Sequence, residues 1–193
     1  GSYPGTCRRL TDDERAERRR GGRRPALRLR TEGQRIQFDD RVHGTVSGVV
    51  DDVVLRRNDG VPAYNLAVVV DDASQGVNEV VRGDDLLASA ARQQVIARAL
   101  GVAHARWWHV PLVYGDDGKR LAKRHGSHSL AQIRNDGIAP ERVIGWCAWS
   151  LGLVDRPCAL DAQEFRAAAT LAALRAAMTR VSTQRTVFAP QML

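Results

Sequence analysis

The sequence predicts an α/β fold centred on a doubly wound nucleotide-binding sheet, and three observations carry that expectation. Residues 66–70 form the longest uninterrupted apolar stretch, β-branched at its end and closed by Asp71 and Asp72. This reads as part of a strand, 63–72, buried on both faces of a parallel sheet, with its acids at the carboxyl end where ligands of such sheets sit. A helical pattern over 89–100 stops at Gly101, and a strand-like 107–113 follows. That strand runs through Gly118 into a basic loop at 119–126. Strand, helix, strand and phosphate-suited loop is the local grammar of a nucleotide-binding α/β unit.

Length and composition fit. The 193 residues suffice for one domain with a small appendage and a real core. With 44% apolar and 26% charged residues, the chain is neither a disordered tail nor a collagen-like repeat. Its longest apolar run is far too short to span a membrane, and no signal-peptide pattern opens it. Cys7, Cys147 and Cys158 are too few and too irregularly spaced for a disulfide scaffold, so an intracellular, cytoplasmic protein is expected. Lys plus Arg outnumber Asp plus Glu by 29 to 22, a net charge of +7. That balance suits an anionic partner such as nucleic acid; guanidinium groups that simply face water would give the same count.

Each element has a local reason. Thr11, Asp12, Asp13 and Glu14 cap a helix over about 12–20, with acids at its positive end and Arg15, Arg18, Arg19 and Arg20 on later turns. Gly21 and Gly22 end it, and its lack of an apolar stripe places it on the surface or against something acidic. Alternation at 26–30 and 36–38 predicts half-exposed antiparallel ribbon. Short strands at 49–50 and 53–57 end in an Asn58-Asp59-Gly60 turn, and 77–81 is a further strand that reaches Arg82-Gly83-Asp84-Asp85. Pro140 opens a helix that runs to Leu151 and Gly152. Asp161 with Glu164 resembles a capping box for a helix to about Met178, and 182–193 shows no clear period.

The densest chemistry is in 119–125. Both lysines, Lys119 and Lys123, lie there in a chain that otherwise uses Arg, so a compact, mobile ammonium is retained against a strong bias. Lys123, Arg124 and His125 beside Gly126 suit the neutralisation of phosphates; a solvated hairpin tip is the other reading.

Arg120-Leu121-Ala122-Lys123-Arg124 is similar to the mobile, lysine-containing signature loop of class I aminoacyl-tRNA synthetases. Upstream, residues 59–60 with 63–72, then 81–87, then 109–112 resemble blocks of the glutamate-specific branch. Several ordered blocks at family-like spacing are far more specific than any one motif, and the resemblance covers residues 3 to about 153. Within the branch, the chain looks most like the glutamyl-Q tRNA(Asp) synthetases, a shortened paralogous family. No large anticodon-binding domain is expected after the catalytic region, and Tyr3-Pro4-Gly5-Thr6-Cys7 looks like the second half of that family's zinc site.

The resemblance implies the C-terminal portion of a class I Rossmann-like catalytic domain, with a small insert and a C-terminal helical segment. Residues 1–50 would form the zinc-proximal, acceptor-binding-like insert, 51–126 the second half of the nucleotide-binding region, and 127–193 the helical subdomain and tail. It also implies ATP-dependent activation of L-glutamate with Mg2+, and transfer of the glutamate to the queuosine base of tRNA-Asp. Residue by residue, Lys123 matches the catalytic lysine on the ATP phosphates, Tyr64 and Arg82 the positions that hold glutamate, and Tyr3 and Cys7 two zinc ligands. His109 matches a position near the strand that leads to the loop. The chemistry is apt: a guanidinium grips a carboxylate by two parallel bonds, and an ammonium stabilises developing phosphoryl charge.

Read without the resemblance, each residue has a structural alternative. Tyr64 is then amphipathic core, Arg82 pairs with Asp84 or Asp85, and Asp71 and Asp72 cap backbone amides. Cys7 is a lone thiol where zinc takes about four ligands. Cys147, between Trp146 and Trp149, reads as a core thiol, and His104, His125 and His128 carry no assignment. The chain departs from the family pattern at Arg120, Ala122 and Ser89-Ala90, where Lys, Ser and Pro-Thr are usual. The family's N-terminal ATP-binding His-x-Gly-His signature, substrate-gripping arginine and Cys-x-Cys zinc half have no counterpart. An incomplete catalytic region, inactive without an N-terminal segment, is therefore expected. Two rival readings stand beside it: a truncated glutamyl-tRNA synthetase catalytic domain, and a non-catalytic tRNA-binding module that uses the arginines of 15–24.

Overall fold

The computed structural model describes every residue except 1–2, 23, 116, 122–128, 182–185 and 189–192, and of 178–181 the backbone only. The chain divides into two compact units: 1–40 with 44–81 and 86–108, and 41–43 with 82–85 and 109–193.

The first unit opens with α1 (Asp12–Arg20), whose Thr11/Glu14 capping box satisfies both ends of the first turn and which buries none of its residues. Strands β1 (Leu27–Leu29), β2 (Gln34–Asp40), β3 (Gly44–Val50) and β4 (Val53–Arg56) follow. β1 pairs antiparallel with β4, and β2 with β3. Along β2, Ile36 and Phe38 are buried while Arg35 and Gln37 face water, the period-two alternation that fixes its register. The mixed four-stranded sheet runs β3-β2-β6-β5, with β5 (Glu79–Gly83) at its edge and β6 (Arg106–Val110) parallel to β2 at Asp40 and Trp107.

Residues 63–72 correct the expectation of a strand. They form α2 (Tyr64–Ser74), so Asp71 and Asp72 lie in the last turns of a helix and not at the carboxyl end of a strand. A five-residue apolar run fits a buried helix segment as well as a strand. Here Pro62 and the extended Ala63 launch a helix, and Ala67 and Ala73 sustain it. Val69 is buried with Leu66 and Val68 packed beside it, while Val70 is left 46% exposed.

Helix α3 (Leu87–Leu100) begins two residues earlier than the sequence pattern indicates, off a 3-10 turn at Asp84–Leu86. Gly101 stops it in the left-handed conformation at φ 67°. Its face of Ala90, Ala91, Val95, Ile96 and Ala97 packs on β2, β3 and α2, and with Ile36, Phe38, Val50, Val53 and Trp107 makes the core. Each Val, Ile or Phe side chain buried there contributes about 1.5–3 kcal/mol of transfer free energy.

The second unit is mainly helical. The strand expected over 107–113 is broken: β6 ends at Val110, Pro111 offers no amide hydrogen, and a short β7 (Val113–Tyr114) pairs in parallel with β8 (Thr186–Val187). Helices α4 (Leu130–Asn135), α5 (Pro140–Ser150), α6 (Ala162–Ala168) and α7 (Leu171–Val181) are its helices among the described residues. The single helix expected from Asp161 to about Met178 divides because Thr170 Oγ1 accepts the Ala173 amide and starts α7 afresh. Trp146 is the centre of this core, edge-on to Phe188 at 5.0 Å between ring centroids, with Ile133 and Leu193 beside it. Gly145 lets α5 touch the Cys158 carbonyl, where any Cβ would overlap it. Among the described residues, no helix is long and apolar enough to cross a membrane.

Candidate functional site

In the first unit the polar groups gather around Asp51 and Asp52, which join β3 to β4. Asp52 is 6% exposed and forms an ion pair with Arg8 at 2.7 Å. It also accepts the Thr31 and Glu32 amides at 3.0 and 3.3 Å. The Arg8 hydrogen bond and then the Thr31 amide hold its carboxyl down to about 2. Asp52 thereby steadies a turn in which Glu32 occupies the left-handed region at φ 55°, unusual for a residue with a side chain. Asp51 takes the Tyr3 amide at 2.6 Å and lies 3.8 Å from the Arg92 guanidinium.

These bonds fix the Tyr3–Cys7 segment. Arg28 stacks 3.9 Å above the Tyr3 ring and donates to the Asp52 carbonyl oxygen at 2.8 Å. The Cys7 amide donates to the Tyr3 hydroxyl at 2.9 Å, so the two residues matched to zinc ligands lie on one tight turn. They supply two donors where zinc takes about four. Among the described residues, no cluster of three or more His, Cys, Asp or Glu side chains could hold a metal. Two donors do not by themselves make a closed zinc site.

A concavity of about 470 Å³ opens beside this segment, lined by Tyr3, Arg28, Asp51, Tyr64, Asn65 and Arg92 among others. Tyr64 is the first residue of α2 and is 59% exposed, so its ring is a lining group and not part of the core. Neighbouring Asn65 is held from behind by Gln93, itself 1% exposed, whose Nε2 donates to Asn65 Oδ1 at 3.0 Å.

In the second unit, Arg82 leaves β5 half-buried, and its Nε donates to Nε2 of the fully buried His109 at 3.0 Å. Asp85 forms an ion pair with Arg120. A Cβ on Gly83, between the two charged positions, would meet the side-chain ends of Leu112 at 2.7 Å and Asp85 Oδ1 at 2.8 Å, and both would have to shift. A small hairpin, with Leu121 N–H on Val113 O and Gly115 N–H on Lys119 O, carries the chain toward the basic loop. Lys123 itself, with Ala122, Arg124, His125 and His128, lies outside the described residues.

The structure thus brings Tyr3 to Cys7 and Arg82 to His109, while Tyr64 and Arg82 belong to different units. Sequence reasoning singled out Asp71 and Asp72 and passed over Asp51 and Asp52. The available signal was two acids set directly between Val50 and Val53 in an arginine-rich chain.

Comparison with known proteins gives these groups a context. Residues 1–175 match the family model described as tRNA synthetases class I (E and Q), catalytic domain. Over 157 residues the chain is 57% identical to the glutamyl-Q tRNA(Asp) synthetase of Nocardia farcinica, covering 81% of this chain and 50% of that protein. It is 44% identical over 150 residues to glutamate–tRNA ligase 1 of Halorhodospira halophila, covering 76% of this chain and 31% of that one. The chain spans about half the length or less of the curated relatives it matches. A crystal structure of a glutamate tRNA ligase from Elizabethkingia meningosepticum superposes with a TM-score of 0.72 at 22% identity, over 99% of this chain and 42% of that one, which shows a shared fold. With the family model matched across nearly all its length and a class I synthetase fold to go with it, the chain belongs to the catalytic-domain family of the class I tRNA synthetases for glutamate and glutamine.

Proposed function

We propose that the protein to which this chain belongs activates glutamate with ATP and transfers it to the queuosine base of tRNA-Asp. The observation that carries this reading is the 57% identity to a glutamyl-Q tRNA(Asp) synthetase, above the 44% identity to a glutamate–tRNA ligase, on a chain that keeps Tyr64, Arg82 and Lys123. In the first step a glutamate carboxylate oxygen attacks the α-phosphorus of ATP, a P–O bond forms, and pyrophosphate leaves with the electrons of the bond that breaks. Lys123 stabilises the charge that builds on the phosphate oxygens. Mg2+ bound together with ATP would supply further neutralisation of the phosphate charge beside Lys123. Arg82 pairs with a carboxylate of glutamate, and the Tyr64 hydroxyl contacts the same substrate. In the second step the tRNA nucleophile attacks the activated carbonyl and AMP leaves.

The domain reading goes with this: 1–50 as the insert beside the Tyr3–Cys7 half-site, 51–126 as the nucleotide-binding portion, and 127–193 as the helical subdomain. The test is transfer itself. The full-length protein, given ATP, radiolabelled glutamate and tRNA-Asp, should label tRNA that carries queuosine and leave tRNA lacking it unlabelled. Equal labelling of both at the 3′ end would favour a glutamate–tRNA ligase instead.

A further inference from the structure

The concavity beside the Tyr3–Cys7 segment is built from the first unit alone, and its volume of about 470 Å³ is that of a small-molecule site. One wall is Tyr64, 59% exposed at the start of α2. Next to it stands Asn65, whose Oδ1 accepts from Nε2 of the buried Gln93 at 3.0 Å. That bond fixes which way the Asn65 amide is turned. Its Nδ2, with two hydrogens to give, donates to nothing among the described residues. An oriented donor beside an exposed aromatic ring suits a flat, polar guest: the ring offers a stacking face and the amide reads an edge.

The charges of the lining narrow the guest further. Asp52 is engaged by Arg8 and by the Thr31 and Glu32 amides. Arg28 donates to the Asp52 carbonyl oxygen and stacks on Tyr3, and Arg92 lies 3.8 Å from Asp51. Two acids and two arginines balance, so the concavity offers no net positive charge to an anion. The two carboxylates of glutamate and the phosphates of ATP are poorly matched to it, whereas a nucleobase is flat, polar and without phosphate charge. Transfer also requires the acceptor base to lie next to the amino acid. Tyr64, read above as contacting glutamate through its hydroxyl, brings the two together if its ring carries the base.

We infer that this concavity receives the acceptor nucleobase of the tRNA in the transfer step, with the base stacked on the Tyr64 ring and the Asn65 amide donating to an acceptor on its edge. This rests on the transfer to a tRNA base proposed above. It predicts an effect confined to the second half of the reaction, because adenylate formation proceeds before the base is engaged.

The experiment sets two assays of the full-length protein side by side: ATP–pyrophosphate exchange without tRNA, and transfer of radiolabelled glutamate to queuosine-containing tRNA-Asp. Asn65→Ala should raise the KM for tRNA about ten-fold, in line with the loss of one hydrogen bond, with the glutamate KM in exchange within two-fold of the parent. Asn65→Asp keeps the oxygen to which Gln93 donates and replaces the donor by a second acceptor. It should raise the tRNA KM at least as much as Asn65→Ala. A parent-like tRNA KM in Asn65→Asp would mean that Asn65 only ties α2 to α3, and would overturn the inference. A glutamate KM that rises in Asn65→Ala as much as the tRNA KM would overturn it too, because the concavity would then serve the amino acid. Should Asn65→Ala fail to fold, Asn65→Asp, which retains the tie to Gln93, decides alone. Equal labelling by the parent of tRNA with and without queuosine is a separate result: it would remove the reading on which the inference rests, and it is seen without any variant.

Discussion

Asp52 in the first unit and Arg82 in the second are both charged groups set against buried structure, yet they are held by partners of different kinds. Asp52 collects the Arg8 guanidinium and the Thr31 and Glu32 amides, and its carboxyl is held at about 2 as a result. Arg82 donates from Nε to the fully buried imidazole of His109. An anion whose lone pairs are taken by several segments ties those segments together and has little left for a ligand. The first arrangement ties three chain segments together and suits architecture, whereas the second holds one nitrogen of a residue that we read as part of substrate recognition.

The largest expected effect sharpens the recognition side. In the full-length protein, Lys123→Ala should lower the rate of adenylate formation by about 10²–10³-fold, the usual cost of one electrostatic stabiliser of a transition state. Affinity for tRNA should stay nearly unchanged, as read from rapid-quench adenylation beside a filter-binding titration. A variant that adenylates normally but binds glutamate weakly would mean that the lysine holds substrate.

The architectural side is tested next, through pH. The Asp52 carboxyl is depressed in the folded chain from an ordinary 3.8 to about 2, so the folded state favours its ionised form. Its contribution is fully present above the ordinary carboxylate range and is lost as pH falls through about 2. Hydrogen-exchange protection of the Tyr3–Cys7 segment and of the Glu32 turn should therefore fade over that acid window. In Asp52→Asn the protection should already be weaker at neutral pH and should change little across the window. Parent-like protection in Asp52→Asn would break the contrast, because the charge would then not be the anchor.

The smallest effect concerns thiols. Burial pushes the Cys147 thiol up, beside Trp146 and Trp149 in the second core, whereas Cys7 and Cys158 are exposed. Iodoacetamide at neutral pH should label Cys7 and Cys158 well before Cys147, by mass spectrometry of the digested protein. Early labelling of Cys147 would contradict the packing described for α5.

Much of this was legible in the chain where the controlling interactions are local. The Thr11/Glu14 and Asp161/Glu164 capping boxes, Pro140 at the first turn of α5 and Gly101 after α3 all act within a few residues, and each appears where the sequence puts it. Residues 63–72 were not legible as a helix because five consecutive apolar residues carry no period, and the deciding contacts come from α3. The division of α6 from α7 turned on one threonine hydroxyl that competes with the backbone. At the candidate site, the residue types were readable from their resemblance to a family, but their supports were not. Arg82 and His109 are 27 positions apart, and Arg8 and Asp52 are 44 apart. No local pattern announces either pair. Asp51 and Asp52 look on paper much like Asp71 and Asp72, and only the fold distinguishes an anchoring pair from the last turn of a helix.

The measurement that bears most directly on the account is glutamate-dependent ATP–pyrophosphate exchange by the full-length protein, with and without tRNA. The account predicts exchange in the absence of tRNA, specific for glutamate, and a higher glutamate requirement in Arg82→Ala. Exchange that appears only when tRNA is added would point to a glutamate–tRNA ligase, and no exchange under either condition would contradict the enzymatic reading of this chain.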